Sequence, residues 1–220
     1  MELNILMIDD HIPIIEGYKS ILSFNNEGYK INTIEAHNCE EAYNVITSKS
    51  LSVNIDMVFI DITLPAFTDE NINSGEDLIP VVRSFLPKSS IVVLTSFTEK
   101  FFLYKIINEY KPNGLIVKND ITSQEFLFAF ECVLKGERYL SKTALACLNE
   151  VTLSKKALDS YNRQIIIYLS QGVKNKTIQE QLHLSKSAID KRKVAIKEFL
   201  GIDKGTDEDI IREAKKHKFI

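Results

Sequence analysis

The sequence has no apolar run of about 18 residues, so no helical membrane span is expected. Nor does it open as a secretory leader: Met1-Glu2-Leu3-Asn4 is acidic and passes at once into a strand-like run. Cysteine is scarce. Cys39, Cys132 and Cys147 are odd in number and far apart, matching neither a zinc motif nor a disulfide framework. Each reads as a small hydrophobe in a reducing cytosol, and the expected location is cytoplasmic. A large charge excess is also missing, but the net −3 conceals an asymmetry. Residues 1–150 carry 12 Lys and Arg against 21 Asp and Glu, a balance of −9. Residues 151–220 carry 15 against 9, a balance of +6. An acidic first part and a basic second part predict two domains with different partners, the basic one a candidate for nucleic acid.

The first part alternates apolar strand-like runs with segments of helical spacing. Strand candidates lie at 3–8, 29–36, 57–62, 91–94 and 114–117. Helix candidates lie at 13–24, 38–46, 74–85, 99–110 and 123–135, the second capped by Asn38 with Glu41 three residues on, the third holding Pro80, where a kink is expected. Five strands alternating with five helices call for a parallel sheet covered on both faces. Polar residues close four of the strands: Asp9 and Asp10, Asp61, Thr95, and Lys118. All would gather at the C-terminal edge of the sheet, where open α/β folds keep their ligands.

That set suits phosphoryl transfer to an aspartate. Clustered carboxylates repel, so a dication is expected among them, and hard oxygen donors favour Mg²⁺. Asp10 and Asp61 can ligate it directly, Asp9 directly or through water, and the Thr63 carbonyl can complete the protein share. Asp61 is the candidate nucleophile and phosphoacceptor. Lys118 is a compact cation for the transferred group, and the Thr95 hydroxyl can bond a phosphate oxygen.

These residues resemble the receiver domain of bacterial two-component response regulators. The motifs are Ile8-Asp9-Asp10-His11, Ile60-Asp61-Ile62-Thr63-Leu64-Pro65, Leu94-Thr95-Ser96 and Val117-Lys118-Asn119-Asp120. The resemblance covers 1–137 and implies a flavodoxin-like five-stranded parallel sheet in the order 2-1-3-4-5. It also implies phosphate from a phosphohistidine on a sensor histidine kinase, with Thr95 moving to meet it. Two departures stand out. The usual aromatic three residues before the lysine is Leu115, with Phe97 a possible stand-in. The loop at 66–74 is long before Gly75 is reached, and reads as a tolerated surface insertion beside the site. Leu127 and Phe128, off the apolar stripe of the fifth helix, hint at a partner surface. His11 alone reads as a loop residue.

Residues 138–157 show no firm pattern and read as a linker, with a short helix candidate at 143–148. Beyond it, Asp159 or Ser160 caps a helix bearing Ile165, Ile166 and Leu169 that Gly172 stops. A short helix spans 175–182, and a turn at 183–185 leads to Ser185 as the cap of a longer helix at 186–200. Ile189, Val194 or Ile196, and Phe199 would face inward. Thr206 caps a last helix that is acidic at its start and basic at its end, with Lys215, Lys216 and Lys218. Two helices joined by a short turn, the second rich in cations, point to helix-turn-helix DNA binding. A solvated basic face is the alternative.

Residues 158–220 resemble the LuxR-type output domain of the NarL/FixJ response regulators. Leu169-Ser170-Gln171-Gly172, Asn175-Lys176-Thr177-Ile178, Leu182-His183-Leu184-Ser185 and Ala188-Ile189 carry the likeness. The chain departs from the family at Asp159-Ser160-Tyr161-Asn162 and at Asp190-Lys191-Arg192. The resemblance implies double-stranded DNA as partner, a homodimer through the last helix, and Lys186, Ser187, Lys191, Arg192 and Lys176 as DNA-facing residues. Arg192 could read guanine, and the lysines would bind phosphate. The expected protein is a transcription regulator that takes phosphate onto its own aspartate, with no turnover activity. The rivals are a receiver with a protein- or RNA-binding output, a phosphorylation-independent transcription factor, and a haloacid-dehalogenase-type phosphatase. The last requires a second aspartate where Thr63 stands.

Overall fold

The computed structural model describes residues 2–48, 54–154 and 160–216. It divides into two compact units, Met1–Leu148 and Asn149–Ile220. The first is built on the strands β1 (Glu2–Ile8), β2 (Lys30–Ala36), β3 (Met57–Asp61), β4 (Ser90–Thr95), β5 (Gly114–Val117) and β6 (Tyr139–Leu140). All pairings are parallel and the order is β2-β1-β3-β4-β5-β6. The expected order 2-1-3-4-5 holds, with a sixth strand added beyond β5. Two residues carry no periodicity, so β6 left no trace in the hydrophobic pattern. It falls within the stretch read as linker, and the first unit extends through Leu148.

The helices are α1 (Ile12–Leu22), α2 (Cys39–Thr47), α3 (Gly75–Phe85), α4 (Lys100–Lys105), α5 (Ser123–Leu134) and α6 (Lys142–Ser154). Every residue of β3 is buried, as a strand covered on both faces must be. Alternation along the strands sends Ile5, Met7, Met57, Phe59, Val92 and Leu94 to the core shared with α1 and α5. There Phe126 stacks on Tyr18 with ring centroids 4.3 Å apart and meets Phe59 at 5.2 Å. Asn38 caps α2 as expected, accepting the Glu41 N–H at 2.8 Å. The third helix runs unbroken past Pro80. The fourth is shorter than its pattern: after Lys105 it widens into a π-helical turn, Ile106–Tyr110, and stops at Lys111 with φ +45° before Pro112.

The 66–74 loop has an internal order of its own. Phe67 and Ile72 exchange backbone hydrogen bonds of 2.7 and 3.0 Å around a 3₁₀ turn, Thr68–Glu70, closed by Asn71 at φ +56°. Ile72 is buried, and the Phe67 ring lies 5.8 Å from that of Tyr43.

In the second unit, α7 (Ser160–Ser170), α8 (Asn175–Leu182), α9 (Lys186–Phe199) and α10 (Asp207–Lys216) enclose Ile165, Ile166, Leu169, Ile178, Leu182, Ile189, Ile196 and Ile210. Gly172 and Gly201 end α7 and α9 at φ +71°, the left-handed conformation that glycine adopts without strain. His183 turns the chain between α8 and α9 at φ +52°. Ser185 caps α9, accepting the Ala188 N–H at 3.2 Å. Of the two inward candidates on α9, Ile196 is buried and Val194 is 55% exposed. Asp159 and Lys218, named from the sequence, lie outside the described residues.

Candidate functional site

Parallel pairing brings the ends of β1, β3, β4 and β5 to one edge, and Asp9, Asp61, Thr95 and Lys118 meet there. The Lys118 Nζ donates to Asp9 Oδ2 and Asp61 Oδ2, both at 2.8 Å. Asp9 and Asp61 are each 2% exposed. Asp10, one residue beyond Asp9, is exposed. The second oxygen of Asp61, Oδ1, is buried with no hydrogen-bond partner among the described residues. A buried carboxylate oxygen left unpaired is costly unless something else comes to it.

Burial pushes the pKa of Asp61 up, against the pull of Lys118. Burial also opposes the charge on Lys118, but the bonds to Asp61 and Asp9 outweigh it and its pKa is raised. The lysine therefore stays an ammonium and acts as internal counter-ion to two carboxylates.

Gly75 opens α3 directly behind Asp61. Its N–H donates to the Ile62 carbonyl at 3.0 Å, and a Cβ there would stand 1.8 Å from the Asp61 carbonyl oxygen. The Thr95 side chain is fully buried, and its Oγ1 accepts the Phe97 N–H at 3.0 Å. Leu115 is buried within β5. Phe97 is 41% exposed, its ring 5.0 Å from that of Phe102. An aromatic pair thus sits on the segment that follows Thr95, although the usual position holds leucine.

The donor set fits a hard dication: buried Asp9, exposed Asp10, and an Asp61 oxygen in need of a partner. Asp9, Asp10 and His11 can also converge on one ion. His11 Nδ1 lies 2.7 Å from Asp10 Oδ1, so this side chain, read as a plain loop residue, belongs to the mouth of the site. Thr63, whose carbonyl was the fourth expected ligand, is exposed.

In the second unit, Lys176, Lys186, Ser187 and Lys191 are exposed, and Arg192 is not. The Arg192 guanidinium donates to Asn162 Oδ1 at 2.9 Å and lies 4.9 Å from the Tyr161 ring centroid, on α7. Lys193 is 7% exposed and bonds Asn175 Oδ1 and Asp207 Oδ2, each at 2.6 Å. Lys197 donates to the Gly205 carbonyl. Three of the five cations of α9 are thus engaged inward. The exposed stripe is Ser187, Asp190, Lys191 and Val194. Asp190 and Val194 were not read as DNA-facing from the sequence, although their spacing from Ser187 and Lys191 places them on that face.

No protein-family model matches the chain. The oxygen regulatory protein NreC of Staphylococcus aureus is 24% identical over 230 aligned positions, which span 99% of each protein. Among solved structures, the RcsB response regulator of Salmonella typhimurium matches with a TM-score of 0.66 at 16% identity, over 98% of each chain. RcsB seen as two dimers on two parallel DNAs gives 0.64 at 17% identity, over 98% of each chain. The isolated REC domain of RcsB, with the phosphomimetic BeF₃⁻, gives 0.55 over 67% of this chain. The chain thus shares over its whole length the fold of the response regulators it resembles, with four acidic, hydroxyl and basic side chains gathered at one sheet edge of the first unit and four helices in the second.

Proposed function

We propose that Asp61 accepts a phosphoryl group from a phosphohistidine of a sensor histidine kinase, and that this controls binding of the second unit to double-stranded DNA. The observation that carries the first half is the pair of Asp61 oxygens: Oδ2 is held by Lys118, and Oδ1 is buried and unpartnered. Oδ1 attacks phosphorus, the P–N bond to the histidine breaks, and an acyl phosphate forms. Lys118 then pairs with a phosphoryl oxygen, and the Thr95 hydroxyl leaves the Phe97 N–H to donate to another. Asp9, Asp10, Asp61 and the Thr63 carbonyl would hold Mg²⁺, which neutralises charge on the phosphoryl oxygens when bound. The aspartate is regenerated only by slow hydrolysis, so the protein is a switch and not a turnover enzyme.

For the second half, α9 is the helix that enters the major groove. Lys186, Lys191 and, from α8, Lys176 contact phosphate, while Ser187, Asp190 and Val194 lie on the same exposed stripe toward base edges. Arg192, bonded to Asn162, supports the helix from behind. The protein works in the cytoplasm as a homodimer that regulates transcription. Among the described residues no helix is long and apolar enough to cross a membrane.

Asp61→Asn is the direct test. It should abolish Mg²⁺-dependent labelling from acetyl phosphate, read by intact mass, and the phosphorylation dependence of a promoter footprint. Labelling that persists would refute the site, and sustained release of phosphate from small phosphoesters would favour a phosphatase instead.

A further inference from the structure

The N-terminus of α6 is capped from outside the helix. Ser141, at its N-cap, is fully buried, and its hydroxyl is turned away from the helix. It accepts the Val117 N–H at 3.1 Å and donates to Asp120 Oδ2 at 2.7 Å. Asp120 does the capping instead. Its Oδ2 accepts the Thr143 N–H at 2.8 Å, and its Oδ1 accepts the Thr143 hydroxyl at 2.8 Å. A carboxylate at a helix N-terminus satisfies an amide with no partner inside the helix and faces the positive end of the helix dipole.

Asp120 shares a single 3₁₀ turn, Lys118–Asp120, with the lysine of the site, closed by the Ile121 N–H to the Lys118 carbonyl at 3.2 Å. One end of this turn holds Asp9 and Asp61, and the other holds the first turn of α6. A second tie runs from buried Cys147, whose Sγ lies 3.1 Å from the Lys100 carbonyl at the start of α4. Hence α6 is fastened to the segments that follow both Thr95 and Lys118. The boundary between the two units falls within this helix.

We propose that Asp120, with Ser141 and Thr143, is a latch that carries the state of Lys118 to α6. This rests on the assignment of Asp61 as phosphoacceptor. A phosphoryl group gives Lys118 a more highly charged partner than Asp9. As the ammonium shifts toward it, the short turn moves and the Asp120 carboxylate is drawn from its three donors. The first turn of α6 loses its cap, and the helix joining the units loosens at that end. Asp120 touches no reacting atom; it is a positioning residue.

The test is hydrogen exchange at 142–148 in the full chain with Mg²⁺, with and without beryllium fluoride as phosphoryl mimic. In the wild type, beryllium fluoride should speed exchange in the first turn of α6. In Asp120→Asn that turn should already exchange roughly tenfold faster, as expected for loss of one charge-assisted hydrogen bond, and should no longer respond. Labelling of Asp61 by acetyl phosphate should stay at the wild-type level. Thr143→Val keeps the backbone cap and loses one bond, so it should fall between the two. If α6 in Asp120→Asn protects and responds as in the wild type, the latch is wrong. If Asp61 labels normally in the wild type and α6 does not respond, the latch is wrong and the phosphoacceptor stands. If wild-type Asp61 does not label at all, the phosphoacceptor assignment falls and the latch with it.

Discussion

Replacing Gly75 with alanine adds one methyl group at the place where the fold has no room for it. The new Cβ would lie 1.8 Å from the Asp61 carbonyl oxygen, 2.8 Å from its carbon and 3.1 Å from Ile60 Cγ2. The first two neighbours are backbone, so no rotamer change relieves the overlap. Restoring a tolerable contact means parting α3 from the end of β3 by more than about 1 Å, at a typical overpacking cost of about 1–3 kcal/mol. The displaced residue is the proposed phosphoacceptor, and a misplacement near 1 Å costs on the order of 100-fold in rate. The expected outcome is an initial rate of Mg²⁺-dependent phosphorylation from acetyl phosphate lowered by about two orders of magnitude. The urea midpoint should fall with it. Gly17→Ala is the matched control. A Cβ at Gly17 meets nothing within 4 Å, and the residue lies inside α1. The same methyl group should there raise stability by up to about 1 kcal/mol and leave the rate unchanged. If Gly75→Ala labels at the wild-type rate, the close approach of α3 does not position Asp61.

The two neighbouring cations of α9 should separate in their effects. Lys191→Ala should weaken DNA binding and lower the salt slope by about 1 with no change in unfolding, whereas Arg192→Ala should lower stability by about 1 kcal/mol through the lost bond to Asn162. Titrations of affinity against salt and urea melts of both variants would show it. The carboxyl of Asp120 is shifted by two opposed influences: burial raises its pKa, but the Ser141 and Thr143 donors outweigh it, and the net shift is downward. A depressed folded pKa stabilises above the unfolded value and loses that contribution as pH falls through the folded one. Thermal melts of wild type and Asp120→Asn should therefore differ most above about pH 5 and converge as pH falls below about 4, the ordinary aspartate range. A gap that widens toward acid would contradict the capping geometry.

The edge that carries the candidate site could be read from the sequence because each of its strands is a buried apolar run that stops at a polar residue. That pattern places Asp9, Asp61, Thr95 and Lys118 before any contact is known. The direction of the cations on α9 could not be read. Arg192, Lys193 and Lys197 have the composition of a solvated face, and what turns them inward lies elsewhere in the chain: Asn162, Asn175, Asp207 and the Gly205 carbonyl. Local spacing did not distinguish Val194 from Ile196 for the same reason, since packing within the unit decides it. β6 escaped because two residues make no pattern. The polar composition of the 66–74 loop hid its internal order, in which the Phe67–Ile72 bridge, the 3₁₀ turn and Asn71 all take part.

Under the proposed function, those inward cations bear on how the second unit would occupy DNA. With three of the five positive side chains of α9 held by its own unit, one copy would offer few charges from that helix for releasing counterions, and under the proposed function its affinity as a monomer would be correspondingly small. Useful occupancy then needs two copies on one site, where the second binds at the effective concentration set by the first. Occupancy rises with roughly the square of protein concentration while the dimer is scarce. A modest change in self-association at the receiver would then cross a threshold at the promoter.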